Sequence, residues 1–88
     1  MNLFEQIKQK RDTARKERDQ FALTLLSTLI GEIETKHRSG DKDYSDIVQA
    51  SQKVTKKTID SCKEMYELKR DQKFLNEISI LELFIPKA

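Results

Sequence analysis

The sequence predicts an all-α protein, a small helical bundle of three long helices and one short C-terminal helix, folded as a single domain over residues 1–88. Three observations lead there. Apolar residues recur every three or four positions rather than every second one. The residues between them are largely Glu, Gln, Lys and Arg, which form helices readily. Helix-breaking residues are scarce, with two glycines and one proline in 88 residues. Leu, Ile, Val and Phe supply about a quarter of the chain, above the level of a disordered one. With 36% of residues charged, the core they build is thin.

The first helix begins near Leu3, where Leu3, Phe4, Ile7 and Ala14 form a narrow stripe that needs a neighbour. From Phe21 the stripe widens through Ala22, Leu25, Leu26, Leu29, Ile30 and Ile33, and this is the core helix. Asp19 is placed to cap its start by accepting unpaired backbone N–H groups. A break at 17–19 is therefore expected, although Arg15-Lys16-Glu17-Arg18 would also allow one continuous helix. Lys36, His37 and Arg38 put positive charge at the helix end, and Gly40 supplies a left-handed closure.

Asp41-Lys42-Asp43 reads as a polar loop, after which Ser45 is the expected cap of a third helix with Asp46 in its first turn. That helix extends to about Arg70, with Val48, Thr55, Ile59, Cys62 and Tyr66 as the expected buried face. A last helix is expected from Lys73 to Leu83, ending at or before Phe84 because Pro86 disfavours helical geometry at Ile85. Phe84 and Ile85 are expected to fold back onto the core.

Composition removes several classes of function. The longest apolar run is three residues, too short to cross a bilayer, and Met1-Asn2-Leu3-Phe4-Glu5 has no secretory h-region. One cysteine, Cys62, gives no internal disulfide, which fits a reducing compartment, so the expected location is the cytoplasm. His37 and Cys62 are the only histidine and cysteine and stand 25 positions apart, without zinc-site spacing. His37 reads as a capping or surface residue and Cys62 as an inert buried thiol. Glu32 and Glu34 are two apart on a helix and point in different directions. No cofactor, metal, small-molecule substrate or enzymatic activity is expected.

What remains is surface. Net charge is only +2, but residues 53–73 hold seven Lys/Arg against four Asp/Glu. Lys53, Lys56 and Lys57, with Lys63 less well aligned, share one side of the third helix. Lys36 and Arg38 extend this ridge if the second and third helices are antiparallel. Such a ridge would hold phosphates in a salt-sensitive, sequence-blind way. No aromatic residue alternates with these lysines along the sequence to offer a stacking platform. A protein partner, including a second copy, is the alternative occupant, and a solvated helix face is the plain one.

Two stretches resemble the GatB/YqeY family. Asp19-Gln20-Phe21-Ala22-Leu23-Thr24-Leu25-Leu26-Ser27-Thr28-Leu29-Ile30-Gly31-Glu32-Ile33 is similar to its second helix, D-x-x-R-L-x-x-L-R-x-L-x-x-x-I. Glu77-Ile78-Ser79-Ile80-Leu81-Glu82-Leu83-Phe84-Ile85-Pro86-Lys87 is similar to its E-x-x-x-L-x-x-[YF]-[LI]-P-K element, and Tyr44-Ser45-Asp46 to its hydrophobic-Thr/Ser-Asp helix start. Ala22 and Ser27 stand where the family carries arginines, and Lys53–Lys73 matches only in basic, helical character. YqeY-like proteins continue past the P-K element into a second helical domain resembling the GatB tail that contacts tRNA. The resemblance thus implies a short stand-alone form, similar to phage-encoded versions. It further implies a non-catalytic helical adaptor that binds tRNA or a tRNA-handling protein. The alternative is a protein-interaction module with no RNA role, acting as a homodimer or on a partner's surface, such as a phage protein on a host protein.

Overall fold

In a computed structural model, which describes residues 2–85, the chain forms four α-helices. They are α1 (Leu3–Lys16), α2 (Gln20–Arg38), α3 (Ile47–Lys69) and α4 (Gln72–Leu81), with a single 3₁₀ turn, Lys42–Tyr44, between α2 and α3. No strand occurs among the described residues, so the all-α bundle expected from the sequence holds. Nor, among them, is any helix long and apolar enough to cross a membrane. Pro86 and Lys87, which carry the expected stop and the end of the P-K element, lie outside the described residues.

The break between α1 and α2 is real and has two parts. Asp19 caps α2, its carboxylate accepting from the Ala22 N–H at 3.1 Å. Arg18 takes the left-handed conformation (φ 59°), and α1 closes with the paired bonds of a Schellman motif. Asp19 N–H reaches the Ala14 carbonyl at 2.9 Å, and Arg18 N–H reaches Arg15 at 3.2 Å. Arg70 is also left-handed at the end of α3 (φ 55°), but closes it with the simpler αL motif, a single bond from its N–H to the Tyr66 carbonyl at 2.7 Å. Both positions suit glycine better, because a Cβ in this region costs roughly 1 kcal/mol or more. Gly40 does adopt positive φ (83°) after α2.

One cap and one helix end differ from expectation. Asp46 rather than Ser45 caps α3, accepting from the Val48 N–H at 3.0 Å. Ser45 instead closes the 3₁₀ turn, its hydroxyl donating to the Lys42 carbonyl at 3.0 Å. The turn consumes one more residue than a plain loop would, which moves the cap along by one. Asp71 starts α4 by accepting from the Lys73 N–H at 3.1 Å, and α4 ends at Leu81, two residues short of the expected Leu83.

The core is one cluster. Ile7 from α1 meets Leu26, Leu29, Ile30 and Ile33 from α2, Ala50, Val54, Ile59 and Cys62 from α3, and Ile78 and Leu81 from α4. The buried face of α3 is thus shifted from the expected one. Val48 and Tyr66 are only half-buried, while Ala50, Ser51 and Val54 are inside. On α2, Phe21 leaves the stripe and is 40% exposed. Phe84 packs against the cluster as expected, and Ile85 is half-buried, but Leu83 between the core and the end of the described chain is 69% exposed.

Two hydroxyls sit in the α3 core. Ser51 donates to the Ile47 carbonyl at 2.7 Å, whereas the Thr55 hydroxyl is fully buried and has no hydrogen-bond partner. An orphaned buried hydroxyl costs on the order of 1 kcal/mol or more. Thr55→Val keeps the shape and removes the orphan. It should raise unfolding free energy by about 1 kcal/mol in urea melts, with an unchanged denaturant slope.

Candidate functional site

The lysine-bearing face is organised by Tyr44. The ammonium of Lys36, near the end of α2, lies 5.7 Å from the centre of the Tyr44 ring, and that of Lys53, in α3, lies 5.6 Å from it. Both distances are within cation–π range. The ring is half-buried and packs on the core, so it holds the two charges at a fixed place. Lys53 is steadied further by the Asp43 carbonyl at 3.2 Å and the Asp43 carboxylate at 3.8 Å. In turn, the backbone of Tyr44 is tied to α2, since His37 Nδ1 stands 2.9 Å from the Tyr44 carbonyl oxygen. A carbonyl only accepts, so Nδ1 carries the proton in this contact. His37 is therefore a clasp on the inter-helix turn.

A groove of about 390 Å³ opens beside Tyr44 between α2 and α3. Glu32, Thr35 and Lys36 line one wall, and Val54, Lys57, Thr58 and Ser61 the other. Lys36 meets Lys53 over one ring, while Glu32, one turn earlier on α2, shares the groove with Ser61, further along α3. The two helices therefore run antiparallel. Lys36 and Lys53 stand at the Tyr44 end, and Glu32 and Lys57 lie one turn further along the pair. The Thr35 and Thr58 hydroxyls donate to the Gly31 and Val54 carbonyls of their own helices, both at 2.8 Å, leaving their lone pairs as acceptors.

The structure thus brings Lys36 and Lys53 together over Tyr44, with Lys57 one turn further along α3 in the groove lining. Lys56 and Lys63 are exposed on the outer side of α3, interleaved with the exposed Asp60 and Glu64. Arg38 turns elsewhere. Its Nε lies 3.3 Å from the Glu34 carbonyl, and it lines a separate groove with Phe4, Glu34, His37 and Ile47. Tyr44 escaped the sequence reading as a site residue because it stands eight and nine positions from Lys36 and Lys53; only the antiparallel turn brings them together.

Cys62 faces α4, its thiol donating to Glu77 Oε2 at 3.3 Å. Burial, followed by the hydrogen bond and the negative charge of Glu77, pushes the thiol up from 9.0 to about 11. At neutral pH the sulfur is protonated and a poor nucleophile. His37 and Cys62 belong to different parts of the bundle, one clasping the α2–α3 turn and the other sealed against α4. Among the described residues no group of three or more His, Cys, Asp or Glu side chains is placed to hold a metal ion. No family model, curated protein or solved structure matches the chain.

A proton held more tightly in the folded than the unfolded state makes folding stability fall with rising pH. The Cys62 contribution is intact below about pH 9 and lost on passing about pH 11. Cys62→Ala should flatten the decline in melting temperature across that window. In the native wild type at pH 8, the thiol should react with an aromatic disulfide reagent only at the rate of unfolding.

Proposed function

We propose that this chain is a non-catalytic helical adaptor that binds tRNA or a tRNA-handling protein, with the Tyr44 end of the α2–α3 pair as its phosphate-binding surface. One observation carries this: two helices deliver Lys36 and Lys53 to the same ring, with Lys57 lining the adjoining groove. Clustered cations raise local potential well beyond what a net charge of +2 implies. Lys56 and Lys63 add charge along α3, though Asp60 between them and Glu64 beside Lys63 offset it, so the Tyr44 end is the most positive. The resemblance to the GatB/YqeY family in the second helix, the Tyr44-Ser45-Asp46 start and the C-terminal element points to the same class of partner. A cytoplasmic location accords with the single unpaired cysteine.

Bulk tRNA is the probe. At low salt it should bind, and affinity should fall steeply with ionic strength, the logarithmic slope reflecting about three phosphate contacts. Lys53→Glu, Lys56→Glu and Lys57→Glu together should abolish binding while leaving the helical circular dichroism intact. Binding that is absent at low salt, or indifferent to salt, overturns the RNA reading.

A second reading, a protein-interaction module, has its own observation. Leu68 is 79% exposed and Leu83 69% exposed, near the end of α3 and just beyond α4 respectively. A small domain with bare leucines often completes its burial on another chain. Light scattering after gel filtration tests its homodimer form, which predicts twice the monomer mass at high concentration and return to monomer on Leu83→Glu. A wild-type monomer throughout removes that form.

A further inference from the structure

We propose that this chain pairs with a second copy by exchanging α4: α3 and α4 straighten through Arg70 and Asp71 into one helix, and each α4 docks where the other copy's α4 lay. This deepens the homodimer form of the second reading above and is independent of the RNA reading. The hinge is the observation behind it. Two residues, Arg70 and Asp71, join the helices, and Arg70 is held in the left-handed region (φ 55°) that favours glycine. Short connections under strain invite exchange, because the open form relieves the strain while keeping the contacts. The α1–α2 junction also has a left-handed arginine, but it spreads the turn over residues 17–19 and closes with two backbone bonds. At the α3–α4 junction the closing bond runs from the Arg70 N–H to the Tyr66 carbonyl. That is already the i→i−4 bond of a continuous helix, so straightening does not break it.

The sequence permits the straight helix. No glycine or proline occurs between Gly40 and Pro86, and Leu68-Lys69-Arg70-Asp71-Gln72-Lys73 consists of good helix formers apart from Asp71. Asp71 holds the closed form instead, capping α4 by accepting from the Lys73 N–H at 3.1 Å. What α4 must carry across is small: Ile78 and Leu81 are its buried residues, and Glu77 accepts the Cys62 hydrogen bond. In the exchanged dimer these contacts form again between copies. The balance between the two forms is therefore set by the hinge and by chain concentration. The two hinges meet at the dimer's two-fold axis. Leu68, 79% exposed and two residues before Arg70, then lies beside the second copy.

The test refolds the full chain from urea at low and at high concentration and separates the products by gel filtration with light scattering. High concentration should yield a dimer that persists on dilution and returns to monomer on warming, since α4 must detach before the copies part. In a dimer refolded from an equal mixture of isotope-labelled and unlabelled chains, filtered NOEs between Cys62 and Glu77 should run from one chain to the other. Arg70→Gly relieves the closed turn and weakens the straight helix, so it should cut the dimer yield at least about fivefold. Asp71→Ala removes the α4 cap and should raise the yield; should it melt early, Arg70→Gly decides alone. A dimer whose Cys62–Glu77 NOEs stay within one chain overturns the exchange and leaves the surface homodimer standing. Interchain NOEs in a dimer indifferent to Leu83→Glu support the exchange and remove the Leu83 surface. A monomer at every concentration overturns the exchange and the homodimer form together, leaving the second reading only a different protein as partner. A dimer yield unmoved by Arg70→Gly overturns the hinge, and with it the proposal.

Discussion

The bundle depends on how closely its helices approach α3. The buried face of that helix is made largely of Ala50, Ser51, Thr55 and Cys62, with only Val54 and Ile59 as larger aliphatic residues. Small side chains contribute little apolar area, at about 25 cal/mol per Å². They also let a neighbouring backbone come near, so that Ile7, Leu26, Leu29, Ile33 and Leu81 can be sealed completely by what surrounds them. The large residues of α1, α2 and α4 supply the hydrophobic area, and α3 supplies the surface against which they close. Of its two buried hydroxyls, one is bonded to its own helix and one has no hydrogen-bond partner.

Because α3 is buried along one side only, its other side is free to carry charge, and the antiparallel turn decides which charges meet. The 3₁₀ turn places Tyr44 where it can be gripped from both helices: by His37 through its backbone, by Lys36 and Lys53 through its ring, and by the core beneath. Each exposed contact is worth a fraction of a kcal/mol to about 1 kcal/mol alone. Their joint effect is geometric, since the ammoniums are held over a fixed ring instead of sweeping through solvent. Among the described residues, the groove beside it is lined by α2, α3 and the turn between them.

Much of the fold was legible in the sequence, and the reasons are local. Asp19, Gly40 and the aliphatic stripe of α2 act through neighbours within four residues, so spacing and side-chain chemistry announced them. Arg18 and Arg70 were not legible as left-handed closures, because arginine has no intrinsic preference for that conformation; there the closing backbone hydrogen bonds accompany it. Ser45 and Asp46 are both good caps, and the hydrogen-bond demand of the preceding turn chose between them. The face of α3 was misjudged because Val48 and Tyr66 outrank Ala50 and Ser51 in hydrophobicity but not in fit. For the candidate site, the lysines could be named individually, while their grouping around Tyr44 and the separation of Arg38 from the rest are tertiary facts.

The clasped tyrosine has an optical consequence. The chain has no tryptophan and two tyrosines, so its emission on excitation at wavelengths where phenylalanine does not absorb comes from Tyr44 and Tyr66. Each ring has a cation beside it, two ammoniums at Tyr44 and the Arg70 guanidinium 5.5 Å from the centre of Tyr66. Whatever draws Lys36 or Lys53 away from its ring alters the surroundings of one of only two fluorophores, which makes the protein its own unlabelled reporter of events at that end of the bundle.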